Sequence, residues 1–206
     1  MNQKLISLLM AVLMVFSILP AAFAAEESAA VNPFTDVKES SFYYNSVLWA
    51  VENRITTGTS VTTFSPNEFC TRAQVVTFLW RAAGYPEPTT AKCPFADVEP
   101  DDYFYKAVLW AVENGITSGA TKTAFEPSAK CTRAQIVTFL HRAIGSPKPA
   151  STENPFRDLP SGEYYSEAVL WAVENGITNG TSPNTFSPKA YCSRAQVVTF
   201  LYRSRN

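Results

Sequence analysis

The sequence lacks most of the residues from which catalytic and metal sites are built. It has a single histidine, His141, which excludes a metal site made of several histidines. Its four cysteines include no Cys-x-x-Cys pair, so no zinc motif is present. Its 17 lysines and arginines nearly balance 18 aspartates and glutamates, which leaves a net charge of −1 and no basic field for nucleic acid. We therefore expect no metal, no cofactor and no nucleic-acid partner.

Long apolar runs are also absent after the first 24 residues. Residues 5–19 are apolar and uncharged, Lys4 precedes them, and Ala22 and Ala24 supply the small side chains that a signal peptidase requires. This pattern predicts a secretory signal peptide over residues 1–24. A membrane anchor is the alternative, but the run is short for a bilayer core of about 30 Å. We expect an exported chain with no transmembrane segment.

Three copies of one unit occupy the remaining sequence. Phe34, Trp49 and Arg72 each recur twice, at intervals of 61 residues. The units span residues 32–82, 93–143 and 154–203. The segments between them, residues 83–92 and 144–153, contain glycine and proline, which indicates extended linkers.

Each unit has the pattern of a helix, a loop and a second helix. In the second unit, apolar residues recur along one helical face: Tyr105, Val108, Leu109 and Val112. Gly115 then stops the helix by taking a left-handed conformation, and Gly176 does the same in the third unit. Arg54 stands at this position in the first unit, so we expect a strained or differently shaped helix end there. The loop that follows contains Phe125, which we expect in the core.

The second helix of each unit begins with a capping box. Thr71 is a good N-cap, and Gln74 three residues later reaches back to the backbone N–H of the cap. Cys70 and Val75 flank the box as a hydrophobic staple. The other units repeat the box with Thr132 and Gln135, and with Ser193 and Gln196. Because a pair of short helices is marginal in water, the three units must share a core. The predicted fold is all-α.

An arginine follows each cap. At that position a cation lies beside the positive end of the helix dipole and is unfavourable by a few tenths of a kcal/mol. Three copies so placed indicate an anionic partner, because the planar guanidinium binds a carboxylate in bidentate fashion. From the residues alone, the alternative is a solvated arginine or an ion pair with an aspartate across the groove. The arginines are Arg72, Arg133 and Arg194, and the aspartates are Asp36, Asp97 and Asp158.

Four motifs in fixed order resemble the S-layer homology (SLH) domain. They are residues 32–37 (Asn-Pro-Phe-Thr-Asp-Val), 111–117 (Ala-Val-Glu-Asn-Gly-Ile-Thr), 64–66 (Phe-Ser-Pro) and 71–74 (Thr-Arg-Ala-Gln). The chain is identified as three tandem SLH domains after a signal peptide. The usual Glu of the last motif is Gln in all three copies, and Cys replaces the usual aliphatic residue before it. The resemblance implies a pseudo-threefold helical spindle.

The same resemblance implies a function and a set of site residues. SLH triplets bind secondary cell-wall polysaccharide non-covalently, often through a pyruvylated amino sugar. The family's arginine contacts the acidic sugar, which assigns this role to Arg72, Arg133 and Arg194. The aspartates that help to shape the groove are Asp36, Asp97 and Asp158. The loop glycines expected to allow close approach of the sugar are Gly58, Gly119 and Gly180.

Several aromatic residues are alternative sugar contacts. The tryptophans Trp49, Trp110 and Trp171 lie among apolar neighbours on the first helix, which favours core packing over stacking on a sugar. The tyrosines that precede this helix include at least one exposed ring per unit by our interpretation. They are Tyr43 and Tyr44, Tyr103 and Tyr105, and Tyr164 and Tyr165.

No arrangement favours catalysis. Glu52, Glu113 and Glu174 recur at the end of the first helix, and paired carboxylates are typical of glycosidases. A structural role is favoured, because an active site built three times by repetition is improbable. His141 occupies an aromatic position that is Trp80 and Tyr202 in the other units, so we expect no catalytic role for it.

The cysteines have two interpretations. Cys70, Cys131 and Cys192 are equivalent and suit buried hydrophobic positions, whereas Cys93 stands alone. We favour free thiols, with a disulfide between Cys93 and one of the others as the alternative, since secretion permits disulfides.

These features predict a secreted, non-catalytic module at the cell wall or S-layer surface. Its partner would be an anionic, pyruvylated wall glycan bound in grooves between the repeats. The alternative is a structural or adaptor protein that assembles with a surface-layer or other envelope protein. The identity of the glycan and the number of occupied grooves stay open.

Overall fold

The computed structural model describes residues 31–90 and 92–205. The predicted signal peptide, residues 1–24, lies outside these ranges. The described chain contains six α-helices: α1 (Tyr44–Glu52), α2 (Arg72–Ala82), α3 (Tyr105–Glu113), α4 (Arg133–Ala143), α5 (Ser166–Glu174) and α6 (Arg194–Arg203). Within those ranges, extended residues pair only as isolated bridges. The all-α fold with two helices per repeat is confirmed.

The capping boxes form at α2, α4 and α6. At α2 the Gln74 backbone N–H donates to Thr71 Oγ1 (3.3 Å), and the Thr71 backbone N–H donates to Gln74 Oε1 (3.1 Å). The same reciprocal pair is present at the other two helices. We call Gln74, Gln135 and Gln196 the capping glutamines.

The first helix of each repeat ends in the same way, although Arg54 replaces glycine in the first. Arg54 has φ 57°, close to 65° for Gly115 and 66° for Gly176. Its N–H donates to the carbonyl of Val51 (2.9 Å), and the next N–H, of Ile55, donates to Ala50 (2.8 Å). This is the glycine-type helix end built with a side chain in the left-handed region. The expectation that α1 ends in a different shape was wrong, whereas the expected backbone strain is present, at Arg54.

The helices pack around a pseudo-threefold axis. The second helices, α2, α4 and α6, pack against one another at the centre. Each first helix packs on the second helix of a neighbouring repeat: α3 on α2, α5 on α4, and α1 on α6. The contact of α1 with α6 joins the two ends of the described chain and closes a ring. The predicted shared core is confirmed.

Three equivalent cysteines form a second ring, made of backbone hydrogen bonds at the axis. The Cys70 N–H donates to the carbonyl of Cys192 (3.0 Å), Cys131 to Cys70 (2.9 Å), and Cys192 to Cys131 (3.2 Å). We call Cys70, Cys131 and Cys192 the axial cysteines. All three are buried with free thiols, and Cys93 is also free and half-buried. Free thiols, the favoured interpretation, are therefore confirmed.

Large aromatic side chains fill the space between the axis and the loops. Phe64, Phe125 and Phe186 are fully buried, as predicted for Phe125 and its equivalents. Trp110 and Trp171 are buried and Trp49 is half-buried against the core, which agrees with core packing. None of the helices in the described ranges is both long and apolar enough to cross a bilayer.

Candidate functional site

The arginine after each cap is buried between two repeats. Arg72 exposes only 4% of its surface, and its Nε–H donates to the carbonyl of Phe125 in the second repeat (2.8 Å). Its guanidinium carbon lies 4.9 Å from the ring centre of Phe125 and 5.4 Å from that of Phe139. The pattern repeats with Arg133 on Phe186 and Arg194 on Phe64. These arginines hold neighbouring repeats together, which sequence reasoning missed because the partner loop belongs to another unit.

The aspartates act on the loop rather than on the arginine. Asp97 accepts hydrogen bonds from the backbone N–H groups of Phe125 and Glu126, both at 2.8 Å. It thereby fixes the segment whose carbonyl receives Arg72. Burial acts to raise the pKa of Asp97, but these N–H donors and nearby Arg72 outweigh it and lower the pKa. Asp36 and Asp158 make the equivalent pairs of bonds. The alternative of an arginine–aspartate ion pair was wrong.

The N-terminal turn of α2 offers no free backbone donor to an anion. The Arg72 N–H donates to the carbonyl of Ala129 (2.9 Å), and the Ala73 N–H to that of Pro127 (3.0 Å). The capping box occupies the next N–H. The loop of the following repeat has thus taken the place that a ligand would need at the helix end. Attraction for an anion at this position must come from the arginine side chain.

Two of the three arginines keep an unused donor. Arg72 Nη2 and Arg194 Nη2 are buried and have no hydrogen-bond partner among the described residues. Arg133 Nη2, in contrast, donates to Thr178 Oγ1 (3.2 Å). Burial lowers the pKa of Arg72 and Arg194, opposed by nearby acidic groups. A buried unpaired N–H is costly, so a ligand atom that accepts from it gains more than it would at an exposed arginine.

All three repeats contribute to the groove above Arg72. Its volume is about 780 Å³, and Gly119, Gln135 and Arg142 of the second repeat face Tyr164 of the third across it. Among its lining residues Arg72, Lys130 and Arg142 are cationic, and Glu126 is the one carboxylate. This groove is positive although the protein is not.

A second groove of about 350 Å³ surrounds Arg194. Gly58, Gln74 and Arg81 of the first repeat line it, together with Tyr103 of the second. These residues are the equivalents, 61 positions earlier, of those around Arg72. The two grooves are therefore copies of one site built at different repeat junctions.

The loop glycines are tightly packed within their own repeats. Gly58 and Gly119 line the two grooves and have φ of 88° and 92°. A Cβ atom at either position would collide with a phenylalanine ring and with backbone carbonyls. Gly180 has the same conformation and the same crowding. Glycine is required here by the fold, which places bare backbone at the groove wall.

Sequence reasoning missed a second arginine in each groove. Arg142 Nη1 donates to the carbonyl of Ile116 (3.1 Å), where the groove loop leaves α3. Arg81 and Arg203 bond to Ile55 and Ile177 in the same way. The sequence does contain the pattern that would have identified these arginines, because an arginine recurs every 61 residues in the last turn of each second helix.

The exposed ring in each repeat occupies one position. Tyr103 (62% exposed) and Tyr164 (59%) line the two grooves. In the first repeat the equivalent is Phe42 (66% exposed), whereas Tyr43 and Tyr44 are half-buried against the core. The prediction that Tyr43 or Tyr44 is the exposed ring of the first repeat was wrong, because the exposed ring is that of the preceding residue, Phe42.

Three of the four residues considered for catalysis, His141, Glu113 and Glu174, hold the linkers. His141 is buried beside Trp171, with ring centres 5.2 Å apart, and its Nε2 hydrogen-bonds with the carbonyl of Pro147 (2.8 Å). Glu174 Oε2 accepts from the Ala150 N–H (2.9 Å). Glu113 likewise accepts from the second-repeat linker. Across the described ranges, no three His, Cys, Asp or Glu side chains are grouped to hold a metal.

Comparisons with known proteins agree with this architecture. The S-layer homology domain family matches residues 33–76, 94–137 and 155–198. An endoglucanase of Bacillus sp. (strain KSM-635) is 30% identical over 204 residues, which cover 94% of this chain and 21% of that enzyme. An S-layer protein of Bacillus thuringiensis subsp. finitimus is 26% identical over 186 residues, covering 89% of this chain and 22% of that protein.

A cellulosome-anchoring protein of Acetivibrio thermocellus is 26% identical over 148 residues, covering 68% of this chain and 33% of that protein. The chain thus spans about a fifth to a third of the length of these relatives. The three segments matched by the family lie one in each helical repeat and include Arg72, Arg133 and Arg194. The chain belongs to the S-layer homology domain family, with three tandem domains.

Proposed function

We propose that this chain anchors to the bacterial cell wall without catalysis, by binding an anionic, pyruvylated secondary wall polysaccharide in the grooves between its repeats. SLH domains bind cell-wall glycans and anchor surface proteins, and the relatives include S-layer and cellulosome-anchoring proteins. The chain is a secreted component of the cell wall or S-layer surface. The endoglucanase similarity covers only a fifth of that enzyme, so it supports a shared anchoring region and not a shared activity.

The observation that supports this ligand is the unpaired guanidinium nitrogen of Arg72 in a positive groove. A pyruvyl ketal presents a planar carboxylate, which fits the remaining edge of the guanidinium while Nε stays bonded to Phe125. Gly119 exposes backbone at the wall, and the Tyr164 ring offers a surface for the sugar face. The Arg194 groove offers the same set. We propose Arg133, with Gly180, for the third groove, where the arginine already has an internal partner.

Cosedimentation with purified wall tests this proposal. The wall is used intact and after acid extraction of its secondary polysaccharide. We expect binding only to the intact wall. Arg72→Lys keeps the positive charge but loses the planar guanidinium with its paired N–H donors. It should weaken binding to the wall by roughly tenfold, since a hydrogen bond to a charged group contributes about 1.5–3 kcal/mol.

Arg133→Lys is the matched control. It makes the same change at an equally buried site whose Nη2 is already bonded, so it should weaken binding less. Thermal melts of both variants verify that they are folded. Equal binding to extracted wall would refute the glycan proposal and favour a protein partner in the envelope. Unchanged binding by an Arg72→Lys, Arg194→Lys double variant would refute the groove assignment.

A further inference from the structure

Three exposed side chains meet beside the ring of axial cysteines. They belong to the residues that precede these cysteines at intervals of 61 positions: Phe69, Lys130 and Tyr191. The ring centres of Phe69 and Tyr191 lie 5.6 Å apart. The Lys130 Nζ atom lies 4.8 Å from the ring centre of Phe69 and 5.7 Å from that of Tyr191. We call these three residues the apical triad.

The apical triad holds an ammonium group next to Arg72. An unrestrained lysine side chain samples many rotamers, and the attraction of its charge to two aromatic rings restricts this one. The backbone of Lys130 is also fixed, because it pairs with Thr71 in an isolated antiparallel bridge. The Arg72 N–H donates to the carbonyl of the preceding residue, Ala129 (2.9 Å). A ligand that contacts Lys130 therefore orders a side chain that is already restrained.

The apical triad contributes unequally to the grooves. Lys130 and Tyr191 line the groove of Arg72, the larger one, of about 780 Å³. In the smaller groove, of about 350 Å³ around Arg194, the equivalent positions are Phe69 and Lys130, and neither is among the lining residues. At the third junction the equivalent pair is Tyr191 and Phe69, which contains no cation. The larger groove alone therefore extends to a cation of the triad.

This cation distinguishes the larger groove from the smaller. Arg142 lines the larger groove, and its counterpart Arg81 lines the smaller, so these arginines are common to both. Lys130 has no counterpart in the smaller groove. Glu126 is the one carboxylate among the residues that line the larger groove, and the charge of Lys130 offsets its repulsion of a second anion.

We propose that the larger groove binds two successive acidic sugars of the glycan, and that Lys130 contacts the carboxylate of the second. Nη2 of Arg72 contacts the carboxylate of the first. The ring of Tyr191 offers its apolar surface to the second sugar. This inference rests on the glycan function proposed above and adds a specificity-determining residue to it. The smaller groove binds one acidic sugar.

Calorimetric titration of the full mature protein with two disaccharides tests the second contact. Both are cut from the wall polysaccharide by glycosidase digestion and separated by anion exchange, one with a single carboxylate and the other with two. We expect the disaccharide with two carboxylates to bind about tenfold more tightly, because a contact between two ionised groups is made in addition. The tighter binding should occur at one site per chain.

Three variants separate the charge of Lys130 from its position. Lys130→Met keeps the length of the side chain without its charge and should reduce the tenfold preference to within about twofold. Lys130→Arg should retain most of the preference. Phe69→Leu leaves the charge but removes one ring that restrains it, and should give an intermediate preference. A purely structural role of Phe69 would change the melting temperature and not this ratio.

Lys122→Met is the matched control, since it removes the same charge at an exposed position that lines neither groove, and the tenfold preference should persist. Thermal melts verify that all variants are folded. Equal affinity of the parent for the two disaccharides, or a preference that survives in Lys130→Met, would overturn the second contact alone. A wall polysaccharide that yields no disaccharide with two carboxylates would also overturn it. Failure of both disaccharides to bind would instead refute the proposed glycan function.

Discussion

Replacement of Arg72 by alanine should destabilise the whole protein, although the arginine lies at the first position of a helix. The change removes the Nε–H bond to Phe125 and leaves that carbonyl unpaired, a loss of about 1.5–3 kcal/mol. It also removes two guanidinium–ring contacts of about 0.5–1 kcal/mol each. The unpaired Nη2 is buried at a cost, and its removal returns about 1 kcal/mol. The net loss of unfolding free energy is about 3 kcal/mol.

For a chain of this length, a loss of that size lowers Tm by roughly 6–12 °C, since each kcal/mol corresponds to about 2–4 °C. Calorimetry and urea unfolding at neutral pH measure it. Lys122→Ala removes the same charge at an exposed site and should change Tm by no more than about 1 °C. A Tm for Arg72→Ala equal to that of the parent would show that the bond across the repeat junction contributes nothing, and the account of the arginine as a structural residue would fail.

Three further results follow from the structure. Arg54→Gly should raise the free energy of unfolding, measured with urea, by about 0.5–1 kcal/mol, because a φ of 57° is strained for arginine and not for glycine. An unchanged or lower urea midpoint would show that the Arg54 backbone is not strained. Glutamate at all three capping glutamines should keep or slightly raise Tm, weaken wall binding at 0.01 M salt and weaken it less near 0.15 M; binding equal to that of the parent at every salt concentration would place these side chains away from the ligand. Burial raises the pKa of Cys70 and Cys131 to about 12 and that of Cys192 to about 11. The folded thiols therefore keep protons that unfolded thiols lose near pH 8.5, so stability should fall as pH rises above about 9, and a triple alanine variant that shows the same fall would refute this.

Sequence reasoning performed well wherever the controlling interaction is local. The capping box joins Thr71 to a residue three positions later, so its residue types and spacing identify it without any tertiary information. The 61-residue interval then transferred each assignment to the other two repeats, and the burial of Phe125 and its equivalents followed in the same way.

Sequence reasoning failed for residues whose contacts lie in another repeat. Nothing near Arg72 in the chain shows that the loop at Phe125, 53 positions away, encloses it, and a first-turn position is exposed by default. The pairing of α1 with α6 is equally invisible, because each first helix has a face that fits any of the three second helices. The unpaired Nη2 atoms depend on side-chain positions that differ by little between repeats, as the Arg133–Thr178 bond shows.

The closure of the ring by α1 and α6 has a consequence for the timing of folding. Among the described helices, α1 is synthesised first but must wait for α6, since this packing partner begins at Arg194. Contacts of such high sequence separation slow folding, because loop-closure entropy is lost before the contact forms. Until residue 203 has emerged, the shared core lacks the complete α6 and stays unfinished. The third repeat must therefore be synthesised before the first repeat can complete its packing.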